Sequence, residues 1–220
     1  MGKIVTFEGI DGCGKSYWAN HIAKCFNTES VYINKKSMHY AQNDYVKKVG
    51  ENIGHVLWGA SEEAPIELLE DKGWLFIYLS WLTIFQKNVI YPLKEKYKYI
   101  FLDGWYYKML SRFMAKNIWG EDYLTELFSG LINPDVCFFL DIGIEECYQR
   151  KDFFTKCELG RMDGFEGNDK NCFFEYQNMI REKYIYLIKK KNIHHTYIIN
   201  STKNGYMQNR IIEVLNNISC

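Results

Sequence analysis

The sequence predicts an α/β fold of three layers, in which a five-stranded parallel β-sheet is covered by helices on both faces. Five short segments are continuous apolar runs without polar alternation, which is typical of strands buried on both sides. Helical segments separate these runs, and strands that alternate with helices form parallel sheets. The chain has 220 residues, which suits one well-buried domain over 1–220, and we find neither repeats nor linkers in it.

The predicted strands are dominated by Val, Ile, Phe, Tyr and Leu, which pack well on a pleated surface. The predicted helices carry apolar residues on one side; in the first of them, Trp18, Ile22 and Ala23 share a face. We expect a break near Pro92 in the longest helix, because proline lacks the amide hydrogen that a helix interior needs. The predicted strands are 3–8, 31–33, 99–102, 136–140 and 196–199, and the predicted helices are 17–26, 64–96, 106–116, 122–131, 144–151, 171–191 and 205–218.

Residues 9–16 fit the pattern G-x-x-x-x-G-K-[ST] between the first predicted strand and the first predicted helix. This context is the one that a phosphate-binding loop (P-loop) requires, whereas a chance match rarely has such flanks. Glycines let successive backbone N–H groups point at one phosphate, and the helix adds its positive N-terminal end. We therefore expect triphosphate binding by Gly9, Ile10, Asp11, Gly12, Cys13, Gly14, Lys15, Ser16 and Tyr17.

Two carboxylates follow predicted strands, at the edge where parallel sheets bind ligands. Asp103 is a candidate for holding Mg²⁺, or a water bound to it, together with the Ser16 hydroxyl. The alternative role of Asp103 is to cap the helix 106–116. For Asp141 we expect a cap or turn role before the helix 144–151.

Residues 150–170 combine several cations with three glycines. A glycine-hinged basic loop is able to close over a triphosphate and neutralise charge on the transferred group, as a lid does. The alternative is a solvated surface loop. Because a P-loop is also present, we expect a lid here, with Arg150 and Arg161 among its cations.

Composition excludes several classes of function. The formal net charge is zero, so no nucleic acid polymer or membrane surface is indicated as a partner. No apolar run approaches the length of a membrane span. Seven scattered cysteines without C-x-x-C spacing, in a chain without a recognisable secretion signal, favour free thiols and a cytoplasmic location.

At this point the chain resembles the thymidylate kinase family over nearly its whole length. The resemblance implies a P-loop kinase fold, ATP as phosphate donor with Mg²⁺, a nucleotide acceptor such as dTMP, and a homodimer. The motifs that carry it are Phe-Glu-Gly before the P-loop (7–9), Leu75-Phe76 in a long helix, Asp103 after a strand, Pro-Asp-x…Leu-Asp (134–141), Glu-Leu-Gly-Arg at the lid (158–161), Phe-Phe (173–174) and Arg-x-x-Tyr (181–184).

Family members carry a catalytic arginine either in the P-loop or in the lid. Gly12 occupies the P-loop position here, so the resemblance assigns this role to Arg150 and Arg161. By the same resemblance, Phe76 stacks on the acceptor base.

The acceptor side departs from the family, because arginines are replaced by Ser80, by Gly104 and, in the loop 34–37, by Asn-Lys-Lys-Ser. Lysine lacks the bidentate geometry of a guanidinium, so the replacement is not neutral. Nearby cations offer compensation, or else they form a solvated surface. These cations are Lys35, Lys36, Lys108 and Arg112.

The sequence thus predicts a kinase that moves the γ-phosphate of Mg-ATP to a nucleoside monophosphate, with dTMP as the expected acceptor. Lys15 and the lid arginines act on the phosphoryl group, and Asp11 orients the site. The alternatives are a different acceptor (a modified pyrimidine nucleotide, a nucleoside or another metabolite) and a non-catalytic nucleotide-binding protein. A GTP-binding switch is disfavoured, because Asn-Lys-x-Asp is absent and residues 200–202 resemble an adenine-side loop.

Overall fold

The computed structural model describes residues 1–59, 69–190, 196–200 and 204–218. Five parallel strands form one sheet in the order β2-β3-β1-β4-β5, and helices pack on both faces, which confirms the predicted three-layer fold. The strand that precedes the P-loop therefore lies at the centre. The strands are β1 (Lys3–Glu8), β2 (Ser30–Ile33), β3 (Tyr99–Asp103), β4 (Val136–Leu140) and β5 (Thr196–Ile199).

Most predicted helices are present, and their ends differ from the predicted ones by at most three residues. None of the helices in the described ranges combines the length and the apolar character that crossing a bilayer requires. The helices are α1 (Lys15–Cys25), α2 (Asp44–Trp58), α3 (Glu70–Phe85), α4 (Tyr91–Lys94), α5 (Tyr107–Ala115), α6 (Glu121–Phe128), α7 (Ile144–Gln149), α8 (Asp169–Lys190) and α9 (Asn204–Ile218).

The sequence analysis missed α2. Its start is capped by Asn43, whose side-chain oxygen accepts a hydrogen bond from the Val46 amide at 3.1 Å. Two glycines in α2 weaken its helical signal. Both are explained by packing, because an added Cβ would lie 2.3 Å from Met38 Cε at Gly50 and 3.3 Å from Trp81 Nε1 at Gly54.

The long helix differs from its prediction. The chain passes from α3 through a π-helical turn (Gln86–Ile90) directly into α4. The helical run is therefore not broken near Pro92, and the π-helical turn lies just before this residue. Pro92 lies two residues after the π-helical turn, and prolines and π-bulges are the places where a helix departs from its regular hydrogen bonding. Residues 64–68 of the predicted helix lie outside the described residues.

The sheet separates two apolar cores. Alternate residues of β1 point to opposite faces, so Ile4 packs with α3, α5 and α8, whereas Val5 and Phe7 pack with α1 and α9. The edge strand β5 is less buried than predicted, since Ile198 is 55% exposed. The central strands β1, β3 and β4 therefore form the rigid base on which the site is built.

Candidate active site

The P-loop follows β1 and turns sharply at glycines. Gly9, Gly12 and Gly14 have φ angles of 140°, 82° and 99°, which L side chains rarely adopt. A Cβ at Gly12 would lie 2.3 Å from the Cys147 carbonyl oxygen of α7. No side chain fits at this position, which explains why an arginine is absent from this loop.

Lys15 is the first residue of α1, and its side chain folds back over the preceding P-loop residues. Its ammonium donates to the carbonyl oxygens of Gly9 at 2.9 Å and Ile10 at 2.7 Å. Burial lowers the pKa of Lys15, but neighbouring groups, among them Asp11, outweigh burial and raise the pKa above its ordinary value. Lys15 is therefore a permanent cation at the centre of the loop.

Asp11 is the ionised carboxylate of the P-loop. Lys108 of α5 forms an ion pair with one carboxylate oxygen, and Gln177 of α8 donates to the other at 3.1 Å. Burial raises the pKa of Asp11, but the charges of Lys108 and Lys15 outweigh burial and lower it. The sequence analysis proposed Lys108 as a contact of the acceptor. It did not find Gln177, because no sequence motif marks a glutamine within a helix.

Asp103 ends β3 beside the P-loop strand, in register with Phe7. Its carboxylate accepts a long hydrogen bond of 3.4 Å from the Tyr32 hydroxyl. The capping alternative for Asp103 is wrong, because α5 begins after Tyr106 without a side-chain cap. Asp103 therefore keeps oxygen lone pairs for a further partner.

Asp141 ends β4 on the other side of β1, and its predicted cap or turn role is wrong. Gly143 is the residue before α7, and the helix start has no side-chain cap. Asp141 instead accepts from Arg181 Nε at 2.5 Å and from Arg181 Nη2 at 2.9 Å. This bidentate pair ties β4 to α8.

Glu8 is a buried carboxylate that sequence reasoning used only as a family motif. It is 1% exposed and accepts from the Trp105 amide at 2.6 Å and from the Tyr184 hydroxyl at 2.7 Å. Burial raises the pKa of Glu8. Because it holds the amide two residues after Asp103, Glu8 fixes the loop in which Asp103 lies.

Arg150 reaches the P-loop directly. Its Nη1 donates to the carbonyl oxygens of Cys13 at 3.2 Å and Gly12 at 3.4 Å, and its Nη2 donates to Glu146 at 2.6 Å. A guanidinium is thus held against the phosphate-binding loop, as the lid hypothesis predicts.

Arg161 does not reach the P-loop. It donates to the Gly167 carbonyl at 2.7 Å, to the Phe165 carbonyl at 3.2 Å and to Asp169 at 2.9 Å. These bonds close its own loop against the start of α8. The structure therefore separates the two arginines to which sequence reasoning gave one role.

Arg112 anchors the lid segment 150–170. Its side chain is 11% exposed and donates to the Tyr176 hydroxyl at 2.7 Å, to Cys157 Sγ at 2.9 Å and to Asp163 at 3.4 Å. Lys116 and Tyr176 also bond to Asp163. Arg112 thus bonds to the lid segment in this structure, and its contact with the acceptor stays a prediction.

Phe76 and Ser80, the predicted contacts of the acceptor base, lie on the exposed stripe of α3; Phe76 is 42% exposed. The buried stripe includes Tyr78, which packs at 6.2 Å from Phe113 and 6.1 Å from Trp58 between ring centroids. Among the described contacts, none joins Phe76 or Ser80 to the P-loop. Their contact with the acceptor base stays a prediction, made for two residues that are exposed in this structure.

Lys35 and Lys36 follow β2 but differ in their surroundings. The Lys35 ammonium lies 5.3 Å from the ring centroid of Trp58. Burial lowers the pKa of Lys35, and the charges of Lys108 and Lys36 lower it further. Lys35 therefore lies near enough to Lys108 for their charges to interact, and it is one of the four cations that the sequence analysis proposed for the acceptor.

A cavity of about 300 Å³ adjoins the P-loop. Its size lies at the lower end of the range for small-molecule sites. Residues 201–202 of the predicted adenine-side loop lie outside the described residues. The cavity is lined by Cys13, Gly14, Tyr17, Trp18, Ile142, Arg150 and Met207.

The fold, with its glycine-lined loop after the central strand, defines a domain of the P-loop kinase type. No protein-family model matches the chain. The chain is 20% identical over 192 residues to a probable thymidylate kinase of Sulfurisphaera tokodaii. The alignment covers 87% of this chain and 85% of that protein. It is 25% identical over 162 residues to a thymidylate kinase of Prochlorococcus marinus, which covers 68% of this chain and 71% of that protein.

Among solved structures, the thymidylate kinase from Candida albicans aligns with a TM-score of 0.67 at 16% identity, over 99% of this chain and 92% of that one. This likeness shows a shared fold. Together the comparisons confirm the resemblance that the motifs predicted: the chain is similar to thymidylate kinases along most of its length.

Proposed function

We propose that this chain is a thymidylate-kinase-like enzyme, which transfers the γ-phosphate of ATP to a nucleoside monophosphate, with dTMP as the acceptor. The observation that carries the proposal is the convergence of three cations on one loop. Lys15 lies over the loop, Arg150 touches its carbonyls from one side, and Lys108 pairs with Asp11. The similarity to thymidylate kinases supports the same reaction.

Phosphoryl transfer requires positioning and charge stabilisation more than covalent chemistry. In the proposed mechanism, the Lys15 ammonium exchanges the Gly9 and Ile10 carbonyls for the β- and γ-phosphates. Arg150 neutralises charge that develops on the transferred group. In these bonds a cation donates to a neutral carbonyl oxygen, and a phosphate oxygen, which carries negative charge, is the stronger acceptor for both side chains.

Ser16 and Asp103 fit a magnesium ion. Both offer oxygen atoms, and Mg²⁺ is bound through few protein oxygens, with water and substrate phosphates completing its shell. When bound, the ion would neutralise charge on the β- and γ-phosphates.

On the acceptor side, we assign the monophosphate to Lys35 and Lys108; the charge of Lys108 acts on Lys35, and Lys108 pairs with Asp11 of the P-loop. Two neighbouring ammonium groups repel one another, and a bound anion relieves the repulsion. Trp58 and Tyr78 provide the aromatic wall next to Lys35. The absence of arginine at positions 80 and 104 favours a second candidate, a kinase of the same fold with a different acceptor.

A homodimer and a cytoplasmic location remain proposals. The dimer rests on the family resemblance, and light scattering on the purified chain tests it. The location rests on the cysteine pattern, and none of the described cysteines forms a disulfide.

The experiment that tests the function measures ADP release with Mg-ATP across a panel of monophosphates and nucleosides. Turnover with dTMP is the expected result. Turnover only with another acceptor would refute the thymidylate assignment and retain the kinase. ATP binding without turnover on any acceptor would leave a non-catalytic nucleotide-binding protein.

A further inference from the structure

Gln177 on α8 connects the P-loop with the lid segment through a single amide group. The side chain is 0% exposed. Its Nε2 donates to Asp11 Oδ2 at 3.1 Å and to the Glu158 carbonyl at 2.8 Å, and its Oε1 accepts from the Asp11 amide at 3.0 Å. Both amide hydrogens and the carbonyl oxygen of one buried side chain are therefore used.

We infer that Gln177 is a positioning residue that couples lid closure to the orientation of Asp11 in the P-loop. The inference rests on the proposed function, because Asp11 is placed in the phosphoryl-transfer site. Asp11 has one carboxylate oxygen on Lys108 and the other on Gln177, so its direction is fixed from two helices. When Glu158 moves away with the lid, the Gln177 amide loses one of its three partners and the clamp on Asp11 loosens.

The chemistry of the position selects an amide. Two donors and one acceptor are needed within one side chain, and among long side chains only glutamine supplies them. An ionised glutamate would face the Asp11 carboxylate with a second negative charge. A leucine of similar size would leave the Asp11 amide and the Glu158 carbonyl without these partners.

The lid has a second anchor that does not involve the P-loop. Asp163 bonds to Arg112, Lys116 and Tyr176, and none of the described contacts joins it to residues 9–16. Asp163→Asn therefore loosens the same lid without touching Asp11. This variant measures what a loosened lid costs in kcat while the Gln177 side chain itself is intact.

The test is a double-mutant cycle of Gln177→Leu and Asp11→Ala, with kcat and KM measured for ATP and for dTMP. We expect Gln177→Leu to lower kcat about 10-fold while KM for ATP changes less than about 3-fold. Because Gln177 acts through Asp11, the double variant should lie within about 3-fold of Asp11→Ala alone. Losses that multiply would overturn the inference.

A second variant covers the case in which Gln177→Leu does not fold. In Gln177→Glu, a protonated carboxyl group reproduces part of the amide's hydrogen bonding, so its kcat relative to wild type should rise as the pH is lowered from about 8 to about 6. A ratio that stays constant would contradict the inference.

If the wild-type protein phosphorylates no acceptor, the test measures hydrogen exchange of residues 150–170 with and without Mg-ATP instead of kcat. Gln177→Glu should weaken the protection that ATP gives these residues at about pH 8. Unchanged protection would overturn the inference independently of the proposed function.

Discussion

The donor side and the acceptor side of this site are built in different ways. The donor side is a contiguous loop whose backbone faces the phosphates, and one helix and one arginine complete it. The acceptor side is assembled from separate segments, namely the loop after β2, α3, α5 and the lid. Backbone geometry follows from a local motif, whereas the direction of a helical side chain depends on how the whole helix packs.

The two sides also differ in how their cations are held. Lys15 bonds to backbone carbonyls, and Arg150 bonds to two further carbonyls besides Glu146. In contrast, Lys108 and Arg112 pair with Asp11 and with the lid residue Asp163. Breaking an ion pair costs more than leaving a neutral carbonyl. We therefore expect Lys15 to be available to ATP without breaking an ion pair, whereas the acceptor binds only after the ion pair of Lys108 with Asp11 has rearranged.

The largest effect is expected on the donor side, from Lys15→Ala. The ammonium sits at the centre of the loop, and removing such charge stabilisation from a transition state costs about 100-fold or more in kcat. Steady-state turnover with saturating Mg-ATP measures the loss, and circular dichroism checks that the fold is intact. A folded variant that keeps more than about a tenth of wild-type turnover would contradict the role.

Arg150→Ala should follow, with a loss in kcat of about 10-fold to 100-fold and a smaller change in ATP affinity. Its guanidinium contacts the P-loop, whereas that of Arg161 closes its own loop. Arg161→Ala is therefore the matched control and should lose less than about 3-fold, the effect of a surface contact. Equal losses would restore the shared role that the family resemblance assigned to both arginines.

The same contrast describes what the sequence predicted and what it did not. The alternation of five strands with helices, the P-loop and the position of Asp103 after a strand follow from local patterns, and the structure confirms the predicted fold. The family motif placed Phe76 at the acceptor base. In the structure the buried face of α3 carries Leu75 and Tyr78, whereas Phe76 is on the exposed face. The partner of Asp141 lies 40 residues away on α8, and no local pattern encodes such a pair.

On the acceptor side, we expect Lys35→Ala to raise KM for the monophosphate about 10-fold or more, because a charged hydrogen bond contributes ~1.5–3 kcal/mol. KM for ATP should change little. Lys36→Ala, the neighbour in the same loop, is the matched control and should change KM less than about 2-fold. If the two variants behave alike, the assignment of Lys35 to the cleft is wrong.

The pH dependence of the lid follows from Asp163. Burial raises its pKa, but the charge of Arg112 and the hydrogen bonds from Lys116 and Tyr176 outweigh burial and lower it. The stabilisation from a carboxylate with a lowered pKa is present above its unfolded value of about 3.9 and is lost as the pH falls through the folded value.

We therefore expect hydrogen exchange in residues 150–170 to increase below about pH 4, before exchange increases in β4. Asp163→Asn should show faster lid exchange already at neutral pH, with a weaker dependence on acid. An acid response that is identical in the variant would assign the pH dependence to another group.

The smallest effect is expected from restoring a family arginine with Ser80→Arg. If Ser80 lay over the acceptor base, a guanidinium there would add a charged hydrogen bond and lower KM for dTMP about 10-fold or more. Ser80 instead lies on the exposed stripe of α3 with Phe76, opposite Tyr78, so the new side chain should extend into solvent. KM, kcat and the thermal midpoint should then change only marginally, as for an ordinary surface substitution. A clear gain in dTMP affinity would show that α3 presents this stripe to the acceptor, and the acceptor side would then follow the family motif as closely as the donor side does.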